Sequence, residues 1–372
     1  MNAAAGAFGG CILPVCLPSI IENVMRLLIL GTGNMASHHV AHFAAIEGVE
    51  VVGAVDVDPV RLKAFCDARD IPKRFESLEA ALEWGEFDAV ANVTSDKAHY
   101  PTTMQVLAKG KHVFCEKPLA TDHEKADEMT AAAEKAGVVN MVNLSYRNVA
   151  QLQRARQMVL DGELGTVRHV EASYLQSWLV SHAWGDWRTE PTWLWRLSKD
   201  HGSNGVLGDI GVHLLDFAVY GAATDVAAGF TRLQTFHKAE GDKIGEYKLD
   251  ANDSFTMSVE FTNGALGVIH ASRFATGYLN TLRLRIYGDK GAVELQHGEG
   301  GSWLRVCVGD DIEPPAWKDV TLEPVPTNYE RFVAAVRTGK NDDPTFRHAA
   351  YLQKILDLSM VSDRERKELK AQ

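Results

Sequence analysis

The chain has 372 residues, a formal net charge of −11, and 46% hydrophobic and 23% charged residues. This length and composition are typical of a globular protein with about two domains, and the negative charge argues against a nucleic-acid-binding surface. No apolar run reaches the ~20 residues that a membrane-spanning helix needs. We therefore expect a small-molecule partner, with no nucleic-acid and no membrane partner.

Cysteine usage and the first residues of the chain bear on its compartment. The five cysteines are an odd number with no CxxC pair, which is typical of reduced thiols and offers no metal framework. Residues 1–24 contain no lysine or arginine, so the positive start of a secretory signal is missing. We predict a cytoplasmic protein in which residues 1–24 form an N-terminal extension.

Strand and helix patterns alternate from residue 25 onward. The apolar segment MRLLIL precedes the helical segment NMASHHVAHFAAI, and the apolar segment VEVVGAVD follows. Alternation of this kind predicts a doubly wound parallel sheet in an α/β domain.

The segment GTGNMA, Gly31 to Ala36, lies between the first strand and the first helix and fits the GxGxxG/A pattern. Gly31 allows a tight turn and Gly33 lets the backbone approach a pyrophosphate. Asp56 ends the second strand, where a carboxylate accepts hydrogen bonds from ribose hydroxyls and repels a 2′-phosphate. We predict a Rossmann domain that binds NAD, and Arg61 keeps NADP possible. The predicted cofactor contacts are Gly31, Thr32, Gly33, Asn34, Met35, Asp56, Arg61, Thr94, Ser95, His99, Glu116 and Lys117.

Three histidines on the first helix, His38, His39 and His42, raise the question of a metal site. No carboxylate or cysteine accompanies them at ligand spacing. We predict that they lie on the solvent-exposed face of the helix and that the protein has no metal site.

Two later motifs carry the predicted chemistry. VFCEKPLA places Lys117 after a strand, at the sheet edge where open parallel sheets bind ligands. GVLGDIGVHLLD places Asp209 and His213 four residues apart on one helical face, so that both can approach one substrate atom. We predict that Lys117, Asp209 and His213 form the catalytic group.

The order of these three motifs resembles the glucose–fructose oxidoreductase and inositol dehydrogenase (Gfo/Idh/MocA) family of NAD(P)-dependent oxidoreductases. The resemblance implies a Rossmann domain at 25–146 and a second α/β domain at 147–372, built on a large open, mostly antiparallel sheet. It also implies that the last helix packs back on the first domain and that the bond before Pro118 is cis. Residues that match the family motifs are Gly31, Gly33, Glu116, Lys117, Pro118, Gly205, Leu207, Asp209, Gly211, His213 and Asp216.

The activity that the resemblance implies is hydride transfer between the nicotinamide and a secondary alcohol of a sugar, cyclitol or related polyol. We expect His213 to be the general base, Lys117 to stabilise the developing alkoxide, and Asp209 to orient the imidazole. The sequence equally allows Lys117 to be the base. Two other function classes stay open, a redox-assisted NAD-dependent glycosidase and a non-catalytic NAD-binding regulator.

Five of the eight tryptophans lie in the segment WLVSHAWGDWRTEPTWLWR, residues 178–196. Their spacing fits neither one helical face nor a strand alternation. Because the segment precedes the His213 helix, we expect it to border the substrate. The predicted substrate contacts are Arg147, Asn148, Trp187, Arg188, Trp195 and Arg196.

The second half of the chain shows strand-like alternation separated by turn signals such as Asn263-Gly264. We expect one face of the resulting sheet to cover the His213 helix. The other face needs cover, and a second subunit could supply it. The sequence therefore predicts a homo-oligomer, a dimer or tetramer, formed through the C-terminal sheet.

Overall fold

The computed structural model describes residues 24–371. The predicted N-terminal extension, apart from its last residue, lies outside the described residues. Among the helices of residues 24–371, none has the length and apolar character of a membrane span.

The first domain is built on a six-stranded sheet in which every neighbouring pair is parallel. The strand order is β3-β2-β1-β4-β5-β6, so the order reverses between β1 and β4, and ligands bind at such a reversal. The predicted doubly wound sheet is confirmed. The strands are β1 Met25–Leu30, β2 Val49–Val55, β3 Lys73–Phe75, β4 Ala89–Asn92, β5 His112–Cys115 and β6 Asn140–Val142.

Five helices connect these strands, and their first turns show why they begin where they do. The Asp58 side chain caps the second helix by accepting from two backbone N–H groups, and Pro59 occupies its first position. Ser77 and Asp122 cap the third and fifth helices, and each side chain accepts from one backbone N–H group. The helices are α1 Asn34–Ala44, α2 Pro59–Asp67, α3 Leu78–Trp84, α4 Asp96–Ala108 and α5 His123–Ala136.

The second domain contains a nine-stranded sheet with the order β16-β15-β14-β13-β7-β12-β11-β8-β17. The β7–β12 pair is parallel, and the other neighbours in this sheet are antiparallel. The predicted open, mostly antiparallel sheet is therefore confirmed. The strands are β7 Val167–Gln176, β8 Val226–Gln234, β9 Lys243–Ile244, β10 Tyr247–Lys248, β11 Ser254–Phe261, β12 Leu266–Ser272, β13 Asn280–Gly288, β14 Gly291–Gly298, β15 Trp303–Val308, β16 Lys318–Asp319 and β17 Leu369–Lys370, with β9 and β10 forming a separate pair.

Alternate residues of the long strands face inward, as a half-buried sheet requires. The buried residues of β11 share one hydrophobic core with the helix Val212–Gly221, which is buried at every position. The inward residues of β11 are Phe255, Met257, Val259 and Phe261. The later helices are α6 Ala150–Leu160, α7 Pro191–Leu194, α8 Val212–Gly221, α9 Asn328–Thr338 and α10 Phe346–Glu365.

The last two long helices return to the first domain. Tyr329 and Phe332 of α9 join the core between β1 and α1, where they contact Phe43 and Phe114. The helix α10 lies between α5 and the second sheet, and Arg347 donates to Glu134 at 2.8 and 2.7 Å. In space, residues 328–338 thus complete the first domain, although the predicted boundary assigned them to the second. The boundary between 146 and 147 stays a prediction.

A buried ion pair fixes the start of the second domain. Arg147 donates to both carboxylate oxygens of Asp216, at 2.8 and 2.6 Å, and both side chains are almost fully buried. His348 from α10 lies 2.7 Å from the same carboxylate. Burial raises the pKa of Asp216, but the charge of Arg147 and the hydrogen bonds from His348 and Arg147 outweigh it and hold this pKa below its ordinary range.

We predict that Asp216→Asn lowers the free energy of unfolding by about 3 kcal/mol, because it leaves the Arg147 guanidinium buried without its counter-ion. Urea denaturation of both proteins measures the difference. The matched control is Asp319→Asn, since Asp319 pairs with Arg305 at an exposed strand and should cost less than about 1 kcal/mol. Equal losses in the two variants would contradict the prediction.

Candidate active site

A cleft lies where the carboxyl ends of β1, β4 and β5 meet residues 195–209 of the second domain. The side of α10 that faces this edge also contributes to the cleft wall. Its lining includes Met35, Thr94, His99, Glu116 and Lys117 from the first domain, Trp195, Arg196, Ser203, Asn204 and Asp209 from the second, and Gln353, Leu356 and Met360 from α10. The α10 residues were missed by the sequence analysis, because no local motif links them to the cleft.

The glycine turn, Gly31 to Gly33, leads into the N-terminal end of α1, where Met35 lines the cleft. Gly31 has a φ of +93°, and a Cβ there would lie 2.9 Å from the Val93 carbonyl oxygen, so only glycine fits. At Gly33, no atom of the described residues lies within 4 Å of where a Cβ would be. The first turn of α1 also lacks a side-chain cap from the described residues, which leaves its N–H groups available to a phosphate.

Asp56 lies beside this turn, at the end of β2. Its carboxylate accepts from the Thr32 backbone N at 2.8 Å and from Arg61 Nη2 at 2.6 Å. Burial raises the pKa of Asp56, but the hydrogen bonds from Arg61 and Thr32 outweigh it and hold this pKa well below its ordinary range. An ionised carboxylate therefore stands where the sequence predicts a ribose contact.

The remaining predicted cofactor contacts differ in position. Thr94 and His99 line the cleft, and His99 bridges the Thr94 and Pro118 carbonyl oxygens at 3.1 and 2.7 Å. Ser95 is exposed and precedes α4, and it is not among the residues that line the described cleft. Asn34 is exposed at the first position of α1.

Lys117 reaches across the cleft to the second domain. Its Nζ donates to the Asp209 backbone oxygen at 3.2 Å and lies 3.6 Å from Asp209 Oδ1. The Lys117–Pro118 peptide bond is cis, which confirms the prediction.

Arg273 holds the other side of Asp209. This fully buried guanidinium, just after β12, donates to Asp209 Oδ2 at 2.9 Å and to the Arg196 backbone oxygen at 3.1 Å. Burial raises the pKa of Asp209, but the charges of Lys117, Arg273 and Arg196 outweigh it and keep this pKa below its ordinary range. The sequence analysis missed Arg273, which lies in no recognisable motif.

His213 is the second residue of α8, and this helix directly follows a π-helical segment, Leu207–Gly211. Burial and the nearby charge of Lys117 lower the pKa of His213 to about 3, so its ring is uncharged at neutral pH. Its Nδ1 has no hydrogen-bond partner among residues 24–371, and its ring packs 5.0 Å from the ring of Tyr146.

The sequence analysis predicts that Asp209 orients the imidazole of His213. Within the described chain no hydrogen bond joins them, and the Asp209 carboxylate contacts Lys117 and Arg273 instead. The physical reason is charge, because two cations, Lys117 and Arg273, lie against the two oxygens of Asp209 and attract this carboxylate more strongly than an uncharged imidazole does. Asp209 therefore positions Lys117 rather than the imidazole.

The tryptophan segment lies mostly in a small core of its own. Trp187 is 2% exposed and donates from Nε1 to the Leu179 oxygen at 3.2 Å, while the Arg188 guanidinium covers its ring. Trp195 is 37% exposed, lines the cleft, and stacks with Arg196. Two of the six predicted substrate contacts, Trp195 and Arg196, thus reach the cleft.

The other four predicted substrate contacts lie elsewhere, and long-range packing explains why. Trp187 folds into the segment's core, the exposed Arg188 lies over the Trp187 ring, and Arg147 pairs with Asp216. Asn148 accepts from the Asn328 backbone N at 2.8 Å, outside the cleft.

The three histidines of α1 differ in exposure. His38 and His42 are exposed, as predicted, but His39 is fully buried and its Nε2 lies 2.7 Å from Glu116 Oε1. The prediction of a solvent-exposed position for His39 is wrong, because α9 and the sheet cover this side of α1. In residues 24–371 no group of three or more histidine, cysteine, aspartate or glutamate side chains is placed to hold a metal ion.

Comparison with known proteins agrees with this architecture. Levoglucosan dehydrogenase of Pseudarthrobacter phenanthrenivorans is 26% identical over 265 residues, which cover 66% of this chain and 65% of that protein, just under two thirds. The 1,5-anhydro-D-fructose reductase of Ensifer adhaerens is 29% identical over 292 residues, 77% of this chain and 81% of that protein. The crystal structure of an oxidoreductase domain protein from Kribbella flavida is 27% identical with a TM-score of 0.83, covering 94% of this chain and 100% of that chain.

Two family models match consecutive parts of the chain. Residues 25–144 match the model described as the oxidoreductase family, NAD-binding Rossmann fold, and residues 152–294 match the GFO/IDH/MocA C-terminal domain. The family resemblance drawn from the three motifs is confirmed. The chain belongs to the Gfo/Idh/MocA family of oxidoreductases, and its first domain is an NAD-binding Rossmann fold.

Proposed function

We propose that the protein is a dehydrogenase that oxidises a secondary alcohol of a sugar, cyclitol or related polyol with NAD, and that the reverse reduction uses the same site. One observation carries the proposal: Lys117 and Asp209 line the same cleft as the start of α1, with His213 four residues after Asp209 on the following helix. The names of the two relatives above, a dehydrogenase and a reductase of small carbohydrates, support the substrate class.

The residues around the glycine turn fit a dinucleotide. The uncapped first turn of α1 would receive the pyrophosphate, and the open space at Gly33 would let it approach the backbone. Asp56 would accept hydrogen bonds from the ribose hydroxyls. When bound, the nicotinamide supplies the hydride acceptor for the reaction.

The proton requires a residue of this chain. Hydride leaves a carbinol carbon only as the hydroxyl proton departs, so a base and a positive charge are needed beside that oxygen. The uncharged ring of His213 can accept the proton, and Lys117 supplies the charge that stabilises the alkoxide. Asp209 and Arg273 position Lys117, since Asp209 accepts from Lys117 and Arg273 holds the Asp209 carboxylate.

Assignment of the proton acceptor to His213 rests on its environment. Its Nδ1 is unpaired among the described residues and so can accept a hydrogen bond from a substrate hydroxyl, while its pKa of about 3 makes the ring a weak base. In the alternative, Lys117 itself accepts the proton. The presence of Lys117, Asp209 and His213 argues against a non-catalytic regulator. Nothing in the family match favours the glycosidase.

We further propose that the protein is cytoplasmic and assembles as a dimer or tetramer through the outer face of the nine-stranded sheet. That face exposes Leu266 and Val268 beside the charged ladder formed by Glu171, Arg285 and Glu294. The described cysteines, Cys66, Cys115 and Cys307, are unpaired and buried, as reduced thiols would be.

Substrate turnover tests the proposed function directly. With NAD present, one member of a panel of sugars, glycosides and inositols should produce the absorbance of reduced nicotinamide. Lys117→Met should then lower kcat by about 100-fold, because it removes the charge beside the reacting oxygen, while NAD still binds. His213→Gln should have a similar effect if His213 is the base. Near-normal turnover in both variants would contradict the proposed chemistry.

Cofactor preference follows from Asp56. We expect the wild-type protein to prefer NAD, and Asp56→Ser to raise the ratio of kcat/KM with NADP to that with NAD by about tenfold. The substitution removes a charge that repels the 2′-phosphate and frees Arg61 to bind it. Kinetics with both cofactors measure the ratio, and a wild-type protein at least as efficient with NADP would overturn the assignment.

Substitutions of Trp195 and Trp187 should have different effects, the first on substrate binding and the second on stability. Trp195→Ala is expected to raise KM for the substrate by about fivefold, because it removes one aromatic face from the cleft, with little change in stability. Trp187→Ala should lower the free energy of unfolding by about 3 kcal/mol, because it empties a buried site. KM measurements and urea denaturation on both variants check this, and the reverse pattern would contradict it.

A further inference from the structure

The turn that carries Lys117 is held in place by the buried carboxylate of Glu116. Glu116 Oε1 lies 2.7 Å from His39 Nε2 and accepts from Asn143 Nδ2 at 2.7 Å, and Glu116 Oε2 accepts from the Lys117 backbone N at 3.2 Å. Because an ionised carboxylate can only accept, the proton of this contact lies on His39 Nε2. We call Glu116, His39 and Asn143 the Glu116 network.

The Glu116 network connects the helix that receives the cofactor to the catalytic edge of the sheet. His39 lies on α1, one and a half turns after the glycine turn, and is fully buried against Phe114 and Tyr329. Its Nδ1 has no hydrogen-bond partner among residues 24–371, so Glu116 is the polar contact that its ring makes. A buried polar ring in this position requires that contact.

Glu116 also lines the cleft, so its charge faces the space where the proposed function places the nicotinamide. Burial raises the pKa of Glu116, but the hydrogen bond and charge of His39, together with Asn143, outweigh it and lower this pKa to about 2. The carboxylate is therefore negative throughout the neutral range. The nicotinamide ring is positively charged in NAD⁺ and uncharged in NADH, so a nearby negative charge stabilises the oxidised form.

We propose that His39 is a positioning residue which keeps Glu116 charged and aimed into the cleft, and that this carboxylate makes the protein favour NAD⁺ over NADH. The inference rests on the proposed function only in placing the nicotinamide in this cleft. Its readout is the ratio of the dissociation constants of NAD⁺ and NADH, which needs neither substrate nor turnover.

The groups that face Glu116 determine how this ratio depends on pH. They are His39 from α1, Tyr329 from α9, Lys117 from the same turn and His213 from α8. In the wild-type protein Glu116 stays ionised above a pKa of about 2, so it should not make the ratio vary in the neutral range. Without the His39 donor, burial raises the pKa of Glu116, and the carboxylate should take up a proton as the pH falls.

Two polar replacements of His39 form a matched pair. In His39→Gln the amide nitrogen is as far along the side chain as Nε2 and keeps the donor, whereas in His39→Asn it is too short to reach Glu116. His38→Asn, an exposed change on the same helix, is the control. Calorimetric titrations with NAD⁺ and NADH between about pH 5 and 8 give the ratio for each variant.

Glu116→Gln should weaken NAD⁺ relative to NADH by about fivefold or more at every pH. His39→Asn should approach the value of Glu116→Gln at the acidic end and the wild-type value at the alkaline end. His39→Gln and His38→Asn should follow the wild type. If His39→Asn does not fold, Asn143→Ala removes the other donor to Oε1 and should shift the ratio in the same direction.

Two results would overturn the inference. One is a ratio in Glu116→Gln equal to that of the wild type, which would show that the carboxylate does not act on the nicotinamide. The other is a ratio that is the same in His39→Asn and His39→Gln at every pH, which would leave His39 with a packing role only. A wild-type protein that binds neither nucleotide would instead refute the placement of the cofactor.

Discussion

The carboxylate of Asp209, in the second domain, forms an ion pair with Lys117 of the first domain. Lys117 contacts it from the end of β5, and the buried Arg273 contacts it from the end of β12. This partly buried carboxylate lies between two cations and attracts both, so the ends of β5 and β12 are held close to each other. The cleft depends on this arrangement, because Lys117 and Asp209 both line it.

The features that could be predicted from the sequence are those that depend on neighbours along the chain. The glycine turn at Gly31 is required by a local conformation and by close contact with Val93. Asp56 and Lys117 lie at one edge of the sheet because each follows a parallel strand within two residues, and the carboxyl ends of such strands share that edge. The alternation of long strands similarly predicted the second sheet, since burial of one face imposes a period of two residues.

The features that could not be predicted depend on elements distant in sequence. His39 was assigned to solvent because nothing near it reveals that α9, almost 300 residues later, covers that side of α1. Arg147 and Trp187 were predicted to contact the ligand, but the structure uses them for internal contacts. The sequence does not show whether a polar or aromatic side chain is buried or exposed. The partners of Asp209 were equally hidden, because Arg273 lies 64 residues later in the chain and in no recognisable motif.

The position of α9 has a consequence for how such a protein could be recombined. The nucleotide-binding half is continuous in space but interrupted in the chain, since Tyr329 and Phe332 complete the core that Phe43 and Phe114 begin. A fragment that stopped where the second domain starts would expose that aromatic surface to water and would favour self-association. A transplant intended to bring a new cofactor preference must therefore carry two separate pieces of the chain, with the substrate-binding sheet inserted between them.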